Sequence, residues 1–558
     1  MDTVLTNARI VTSDDRTPLA DTLVIRERKL VFVGRVEDWH PDGDVTEHDL
    51  GGKTVLPGII DAHTHPAMVT HSAWHVALPK TDDLDEILDF VREYALAHPA
   101  AEVPFLYFEY YPSTIFGERT PTKELLDTAV SDRPVLLQDF SEHAHWLNSR
   151  MLELLGVTAE TRDPVPGLEM FIRDAKGEPT GLALEMAYTH FLDRMFDTLQ
   201  WRPPVVTEDS IGEFFDFMTR HGVTGLFEAL IEDEGALASV ARLDRSDRLP
   251  LDYEGAPRFR TLADLPDAIA TARRYDRDHG SERVRIRTLK LFLDGTNENG
   301  NSAVIEPFVN DPASADLGQM QMDSDELAEC MLMMNREQID LHIHLVGDRA
   351  FREACDAVEA ARGRSAAEGE PWRLQVTFAH CELIDPADVG RPAALGIIVN
   401  WTPHWSGGYF GEEARSYLGD ERWNRMYDFT AIADSGATLT FSSDVVTKYE
   451  SNRGNPFFGM QVAVTRIDPE VPLDPAHYPG SVRPSARSRL TMERLIRGYT
   501  IDAARQLRID DRVGSLEPGK DANLVILSDD PFAVDVDKIA RIRPVTVMYR
   551  GDVVAGAI

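Results

Sequence analysis

Val55-Leu56-Pro57-Gly58-Ile59-Ile60-Asp61-Ala62-His63-Thr64-His65 is an apolar run that ends in two histidines two residues apart. On a strand, side chains alternate with a period of two, so His63 and His65 project to the same side. A buried strand ending in two same-facing imidazoles makes the floor of a metal site. Short His-x-His pairs also arise by chance, so the reading depends on what the rest of the chain sets beside this pair.

It sets a repeated pattern there. Apolar strands are predicted at Gly222–Leu230, Leu249–Ala256, Arg285–Asp294, Ile339–His344, Leu374–Cys381, Gly396–Thr402 and Ala437–Asp444. Helical patterns such as Glu326–Arg336, Ala350–Ala361 and Arg422–Ser435 lie between them. With Val55–His63 the strands number eight, as a (β/α)8 TIM barrel requires. His63, His65, Lys290, Asp294, His344, His380, His404 and Asp444 stand at or just past the C-terminal strand ends, the rim where such barrels do their chemistry. The fold class is therefore α/β.

The two ends of the chain have another texture. Thr3–Thr12 and Asp21–Val36, the latter folded about Glu27-Arg28-Lys29, read as short strands, as do Ala522–Leu527, Pro544–Tyr549 and Val553-Val554. Each end is too small for a core of its own, so residues 1–56 and 505–558 are expected to form one small composite β-sandwich. The barrel then takes 57–66 and 205–504. Residues 67–204 are far more than one crossover needs and are expected to form an insertion over the barrel mouth, with a helix at Leu84–His98 and a strand at Pro134–Phe140. Its aromatics, Tyr107, Phe108, Tyr110, Tyr111, Phe116 and Trp146, are mostly core, with one or two reaching the pocket.

Composition narrows the function. The 558 residues carry 57 Lys and Arg against 94 Asp and Glu, a net charge of −37, which repels phosphate backbones and argues against nucleic acid. Three cysteines, Cys330, Cys355 and Cys381, make no disulfide framework and fit a reducing compartment. Neither a signal peptide nor a membrane-spanning apolar run is evident, so a cytoplasmic enzyme is expected, with a small-molecule substrate and room for a homodimer.

Four imidazoles, His63, His65, His344 and His380, with the carboxylate of Asp444 can hold one divalent metal, or two with a bridging anion. Lys290 is the odd member, since an ammonium repels a dication. Carbon dioxide converts a lysine into a carbamate, an anion able to bridge two metals.

At this point the chain resembles a known family. The order His-x-His, Lys, His, His, Asp resembles the amidohydrolase superfamily, and more narrowly the amidohydrolase-3 group of YtcJ-like metal-dependent hydrolases, which includes N-substituted formamide deformylases. The matching segments span almost the whole chain. They include Leu56–His65, Pro121-Thr122-Lys123-Glu124-Leu125-Leu126-Asp127, Asp132-Arg133-Pro134-Val135, His143 with Trp146-Leu147-Asn148-Ser149, Lys290–Gly295, His344–Ala350, Ser443-Asp444 and Gly514–Ala522. The resemblance implies that His63 and His65 hold a more buried metal and His344 and His380 a more exposed one, bridged by Lys290 as its carbamate. It gives Asp444 the roles of ligand and proton shuttle. It also implies a split β-sandwich around the barrel. This chain departs from the family at Ala379-His380-Cys381-Glu382 and Thr296-Asn297-Glu298-Asn299-Gly300-Asn301, both beside the pocket, so no known substrate transfers directly.

The expected reaction is hydrolysis of a non-peptide C–N bond in an amide, formamide or cyclic amide, by water that one or two divalent metals activate. Zinc fits this donor set first, and manganese, iron and cobalt also suit it. An ester or lactone hydrolase, or a metal-dependent decarboxylase, uses the same fold, and a non-catalytic scaffold is the remotest alternative because its relatives would lack the ligands. His404, Trp401, Trp405, His143 and Asp294 are expected substrate contacts, and the aromatic loop with Tyr409 and Phe410 suggests an apolar or aromatic substrate group. His342, two before His344, is expected to be a hydrogen-bonded neighbour. Cys381 adjoins His380 but is not expected to be a nucleophile, and Asp348 and Arg349 are expected to pair and cap a helix.

Overall fold

The computed structural model describes residues 2–558 apart from 42, 118, 311, 312, 314, 408, 409 and 471–488. All eight expected barrel strands are present. They are β1 (Ile59–Thr64), β2 (Val223–Ile231), β3 (Asp252–Pro257), β4 (Thr288–Phe292), β5 (Asp340–Leu345), β6 (Val376–His380), β7 (Ile398–Trp401) and β8 (Thr438–Phe441). Every residue of β1, β2, β3, β5, β6 and β7 is buried, as parallel strands covered on both faces must be.

The strands run parallel in two sheets. One holds β1, β2, β3 and the short strand Val284–Arg285; the other runs β4-β5-β6-β7-β8. The arrangement is a TIM-barrel-type α/β fold, but the expected single closed ladder is not what the hydrogen bonds draw. At one seam β3 ends at Pro257, which has no N–H to give, and contact resumes at an isolated bridge between Arg258 and Lys290, where the Phe259 N–H donates to the Lys290 carbonyl at 3.1 Å. At the other seam side chains stand in for part of the ladder. Asp61 Oδ1 accepts the Ser443 N–H at 3.0 Å, the Gln506 amide donates to the Ala62 carbonyl at 2.8 Å, and the Asp444 N–H reaches the His63 carbonyl at 2.8 Å.

Helices cover the strands by ordinary means. Ser324–Glu337 is capped by Asp323, whose carboxylate accepts the Glu326 N–H at 2.9 Å, and it buries Leu327, Cys330, Met331 and Met334 at helical spacing. It packs on Asp348–Ala367. The expected helix Arg422–Ser435 is instead split into Arg415–Trp423 and Phe429–Asp434. Tyr427 between them has φ 57° and gives its N–H to the Glu382 carbonyl at 2.7 Å, a tertiary bond that helix continuation would forfeit. Asp348 and Arg349 do not pair: Asp348 accepts the Ile305 N–H, and Arg349 reaches Glu353 at 3.3 Å.

The two chain ends meet. Strands Arg9–Val11, Leu19–Ala20 and Thr54–Pro57 share a six-stranded sheet with Leu524–Leu527, Pro544–Tyr549 and Asp552–Gly556. A four-stranded sheet of Asp2–Thr6, Thr22–Arg26, Lys29–Gly34 and Val45–Asp49 shares one apolar cluster with it, including Leu5, Leu23, Ile25, Val55, Leu524 and Ile526. The segment between β1 and β2 builds its own six-stranded sheet from Val76–Ala77, Leu106–Tyr111, Val135–Asp139, Ala144–Leu147, Met170–Arg173 and Pro179–Leu184. Phe108, Tyr111, Phe116 and Trp146 pack in one of its cores, together with Leu84–Ala97, the expected helix.

Candidate metal centre and active site

The strand ends converge on a small cavity of about 80 Å³. His63 from β1, His65 just past it, Lys290 from β4, His344 from β5, His380 from β6 and Asp444 just past β8 all line it. The carboxylate is the hub. Asp444 Oδ1 lies 3.1 Å from His65 Nε2 and 3.4 Å from His63 Nε2, and Oδ2 lies 3.5 Å from His380 Nδ1. Ligand atoms of His63, His380 and Asp444 fall within 4.8 Å of one another. The His344 ring meets the His380 ring edge-on at 4.5 Å.

The chemistry of these donors fits a metal ion. Burial is the leading cause that pulls His63, His344 and His380 well below the usual imidazole pKa, with neighbouring His and Lys charges adding to it. Each is therefore neutral with a free lone pair to offer, the state a metal requires. His65 Nδ1 and His380 Nδ1 are buried without a hydrogen bond among the described residues. His342 Nε2 stands 3.0 Å from His63 Nδ1, which fixes that ring and leaves Nε2 turned into the site. His342 is thus the hydrogen-bonded neighbour it was expected to be. Lys290 Nζ sits 3.4 Å from His63 Nε2, and burial brings its pKa down to about 7 against the opposing pull of Asp444.

The backbone is bent to make this convergence. His380 (φ 73°), Asp444 (φ 46°), Glu142 (φ 65°) and Glu185 (φ 53°) all line the cavity in the left-handed region. Such conformations gather at functional sites because the surrounding fold holds them there. Cys381, with φ 48°, continues the turn; it is buried, and burial pushes its thiol well above the usual range, so it stays an inert thiol.

The expected substrate contacts divide. Trp405 lines the cavity with its indole stacked on His380 at 5.0 Å, and His143 lines it with its ring 5.5 Å from His344. Burial opposes a charge on His143, but the Glu185 carboxylate 2.6 Å away outweighs it and raises the imidazole pKa. Asp294 also lines the cavity, yet its oxygens accept the N–H groups of Ala303, Val346 and Gly347, all at 2.9 Å. It ties loops together rather than presenting a free carboxylate. Trp401 and His404 are not among the lining residues. Asn400 turns inward to the Thr440 and Ser442 hydroxyls, so Trp401, next along the strand, points outward onto Phe429 at 4.1 Å. His404 lies in the short turn Pro403–Ser406, where strand parity no longer applies, and faces Phe458. Tyr409 lies outside the described residues, as does the side chain of Phe410.

Sequence reasoning missed four charged lining residues, Glu142, Glu169, Glu185 and Arg258, besides several apolar ones. Arg258 directly follows β3, the rim position that singled out His63, and gives an N–H to Glu169 at 3.1 Å. The glutamates come from irregular parts of the insertion, where no periodicity marks them.

A TIM-barrel-type chain whose strand ends gather neutral imidazoles around a carboxylate belongs, as a class, with the metal-dependent hydrolases. Residues 46–555 match the amidohydrolase family, and the chain belongs to that family. It is an enzyme, a hydrolase of that family. It is 29% identical over 78% of its length to an exoenzymes regulatory protein of Pectobacterium carotovorum subsp. carotovorum, covering 93% of that protein. It is 26% identical over 95% of its length to the N-substituted formamide deformylase of Arthrobacter pascens, covering 94% of that enzyme. The crystal structure of an uncharacterized metal-dependent hydrolase from Pyrococcus horikoshii OT3 superposes with a TM-score of 0.67 at 21% identity, over 96% of this chain and 99% of that one, a likeness of fold. Among the described residues no helix is long and apolar enough to cross a membrane.

Proposed function

We propose that this amidohydrolase cleaves the C–N bond of a small amide, formamide or cyclic amide in a metal-dependent hydrolysis. The observation that carries the reading is the convergence of His63, His380 and Asp444 at the rim of the fold, with His65 and His344 beside them. These five residues would hold one or two divalent ions, with zinc the first choice for a histidine-rich set. Bound there, such an ion supplies Lewis acidity, polarising a carbonyl and making water acidic enough to attack near neutral pH.

The remaining work belongs to side chains of this protein. Asp444 takes the proton of the attacking water and delivers it to the leaving nitrogen, without which an amine leaves poorly. His143, whose charged form Glu185 favours against burial, donates to the carbonyl oxygen. Trp405 packs against the substrate. Lys290 carries a carbamate when two ions are bound; its buried amine is uncharged in a substantial fraction of molecules near pH 7 and so able to attack carbon dioxide. In domain terms, residues 1–56 with 505–558 form a composite β-sandwich, 57–66 with 205–504 the barrel, and 67–204 a cover over its mouth. Three buried cysteines without a disulfide suit a cytoplasmic protein.

Elemental analysis of purified protein, followed by a panel of N-formyl and N-acyl amines, cyclic amides, lactones and aromatic acids, tests the reading. Turnover of lactones or acids with none of any amide would overturn it, as would full activity in metal-free protein.

A further inference from the structure

A second, larger cavity opens beside the metal centre. It has a volume of about 400 Å³ and shares Met68, Glu142, Met186, Leu230 and Val446 with the smaller one, so the two are neighbouring chambers with a common wall. The insertion supplies most of the far side. Trp74, Phe105, Tyr107, Tyr188 and Phe196 form an aromatic lining, with the Trp74 ring edge-on to Tyr107 at 5.9 Å and tilted against Phe105 at 5.5 Å.

Two polar atoms on this lining are left over. The Trp74 indole N–H is buried with no acceptor, and His145 Nδ1 is buried with no partner among the described residues, although His145 is only 1% exposed. An indole nitrogen can only donate, and leaving it unmet inside a protein forfeits the hydrogen bond it made to water. The Tyr107 and Tyr188 hydroxyls, by contrast, are 3.2 Å from each other, and Tyr107 also donates to Gln138. Glu232 and Asp233 line the chamber, Glu109 there is paired with His75, burial pushes the Glu142 carboxyl well above its usual range, and no Lys or Arg is among the described lining residues.

We infer that this chamber is the specificity subsite of the amidohydrolase reaction, and that it takes an uncharged aromatic group bearing a hydrogen-bond acceptor. This deepens the proposed function and rests on it. The reacting amide sits among His63, His380 and Asp444, and its substituent passes between Met68 and Met186 into the aromatic chamber. Unbranched methionines at that neck adapt to substituents of different width. The aryl ring packs on Tyr107 and Phe196, and its acceptor meets the unpaired Trp74 indole N–H. A carboxylate at the same position would find no Lys or Arg on the described lining and would lie near Glu232 and Asp233, and is rejected.

Three acetamides that differ only in the N-substituent test this: methyl, 2-(4-methoxyphenyl)ethyl and 2-(4-carboxyphenyl)ethyl. Binding is read by calorimetry on the metal-loaded protein, and kcat/KM by release of the amine. The methoxy compound is expected to bind at least tenfold more tightly than the carboxylate. Trp74→Phe, which removes the indole N–H, should lower the preference for methoxyphenyl over unsubstituted phenyl by about fivefold, the size of one neutral hydrogen bond. Leu192→Trp, which intrudes on the chamber, should lower the aryl-to-methyl ratio of kcat/KM at least tenfold, and Thr189→Phe serves if that variant does not fold. Equal binding of the carboxylate, or an unchanged ratio in a folded chamber-filling variant, overturns the subsite. Tight aryl binding that Leu192→Trp abolishes, with no amide cleaved, supports the subsite and overturns the proposed reaction; amide cleavage with no aryl preference does the reverse.

Discussion

Replacing Asp444 by asparagine separates chemistry from architecture at this site. The carboxylate contacts three imidazoles at 3.1–3.5 Å, and its backbone, at φ 46°, gives an N–H to the His63 carbonyl. Asparagine keeps the shape and one carbonyl oxygen, and it tolerates the left-handed backbone better than most residues. The fold and much of the metal content should therefore survive, with the unfolding midpoint held within about 2–4 °C. What asparagine cannot do is accept a proton. Loss of a positioned general base costs about 10²–10⁴ in rate, or about 2.7–5.4 kcal/mol of activation free energy. Asp444→Ala makes the control, because alanine at this φ adds backbone strain of about 1–2 kcal/mol and lowers the midpoint as well as the rate. The assay pairs kcat on a turned-over amide with metal content and thermal unfolding of each variant. An Asn variant that holds its metal and keeps kcat within tenfold of wild type would refute the base role and turn attention to His143.

Lys290→Ala should lose most activity and regain part of it with added formate or acetate, and an unmodified ammonium in a fully metallated crystal structure would rule out the carbamate. His342→Phe removes the neighbour 3.0 Å from His63 Nδ1 and should weaken metal binding about 10–100-fold in a chelator competition; unchanged affinity would show that His63 is oriented by packing alone. Glu254 in β3 is pushed up to about 8, mainly by burial, although Arg285 and the Arg287 N–H oppose the rise. A folded-state pKa above the unfolded value of about 4.3 means that the native state binds the extra proton, so this group's contribution falls as pH rises from about 4 to about 8. Thermal unfolding of Glu254→Gln should therefore show a flatter pH dependence over that range and at least wild-type stability at pH 8; a steeper decline would contradict it.

Much of the fold was legible because parallel barrel strands are buried on both faces and read as apolar runs. Ile59–Thr64, Val376–His380 and Ile398–Trp401 stand out for that reason. The site was legible where a donor sits on a strand and parity fixes its direction, as with His63 and His344. It failed where that rule was misapplied or lapsed. Trp401 follows the inward Asn400 and so had to point out, whereas His404 lies in a turn where alternation says nothing. Glu142 and Glu185 were invisible because their left-handed backbone belongs to irregular loops whose course only tertiary packing decides. The seam residues Asp61 and Gln506 stayed hidden too, since side chains standing in for ladder bonds leave no periodic trace.

That seam also sets an order of events during synthesis. Chains emerge and begin folding from the N-terminus, so β1 with His63 and His65 is available early. Yet the N–H that Asp61 accepts lies 382 residues downstream, and the amide that closes on Ala62 lies 444 residues downstream. Asp444 joins the two histidines only as the same seam forms. A nascent chain thus carries an incomplete donor set until Asp444 has emerged, and on the proposed ligand set tight metal capture waits for the seam to close.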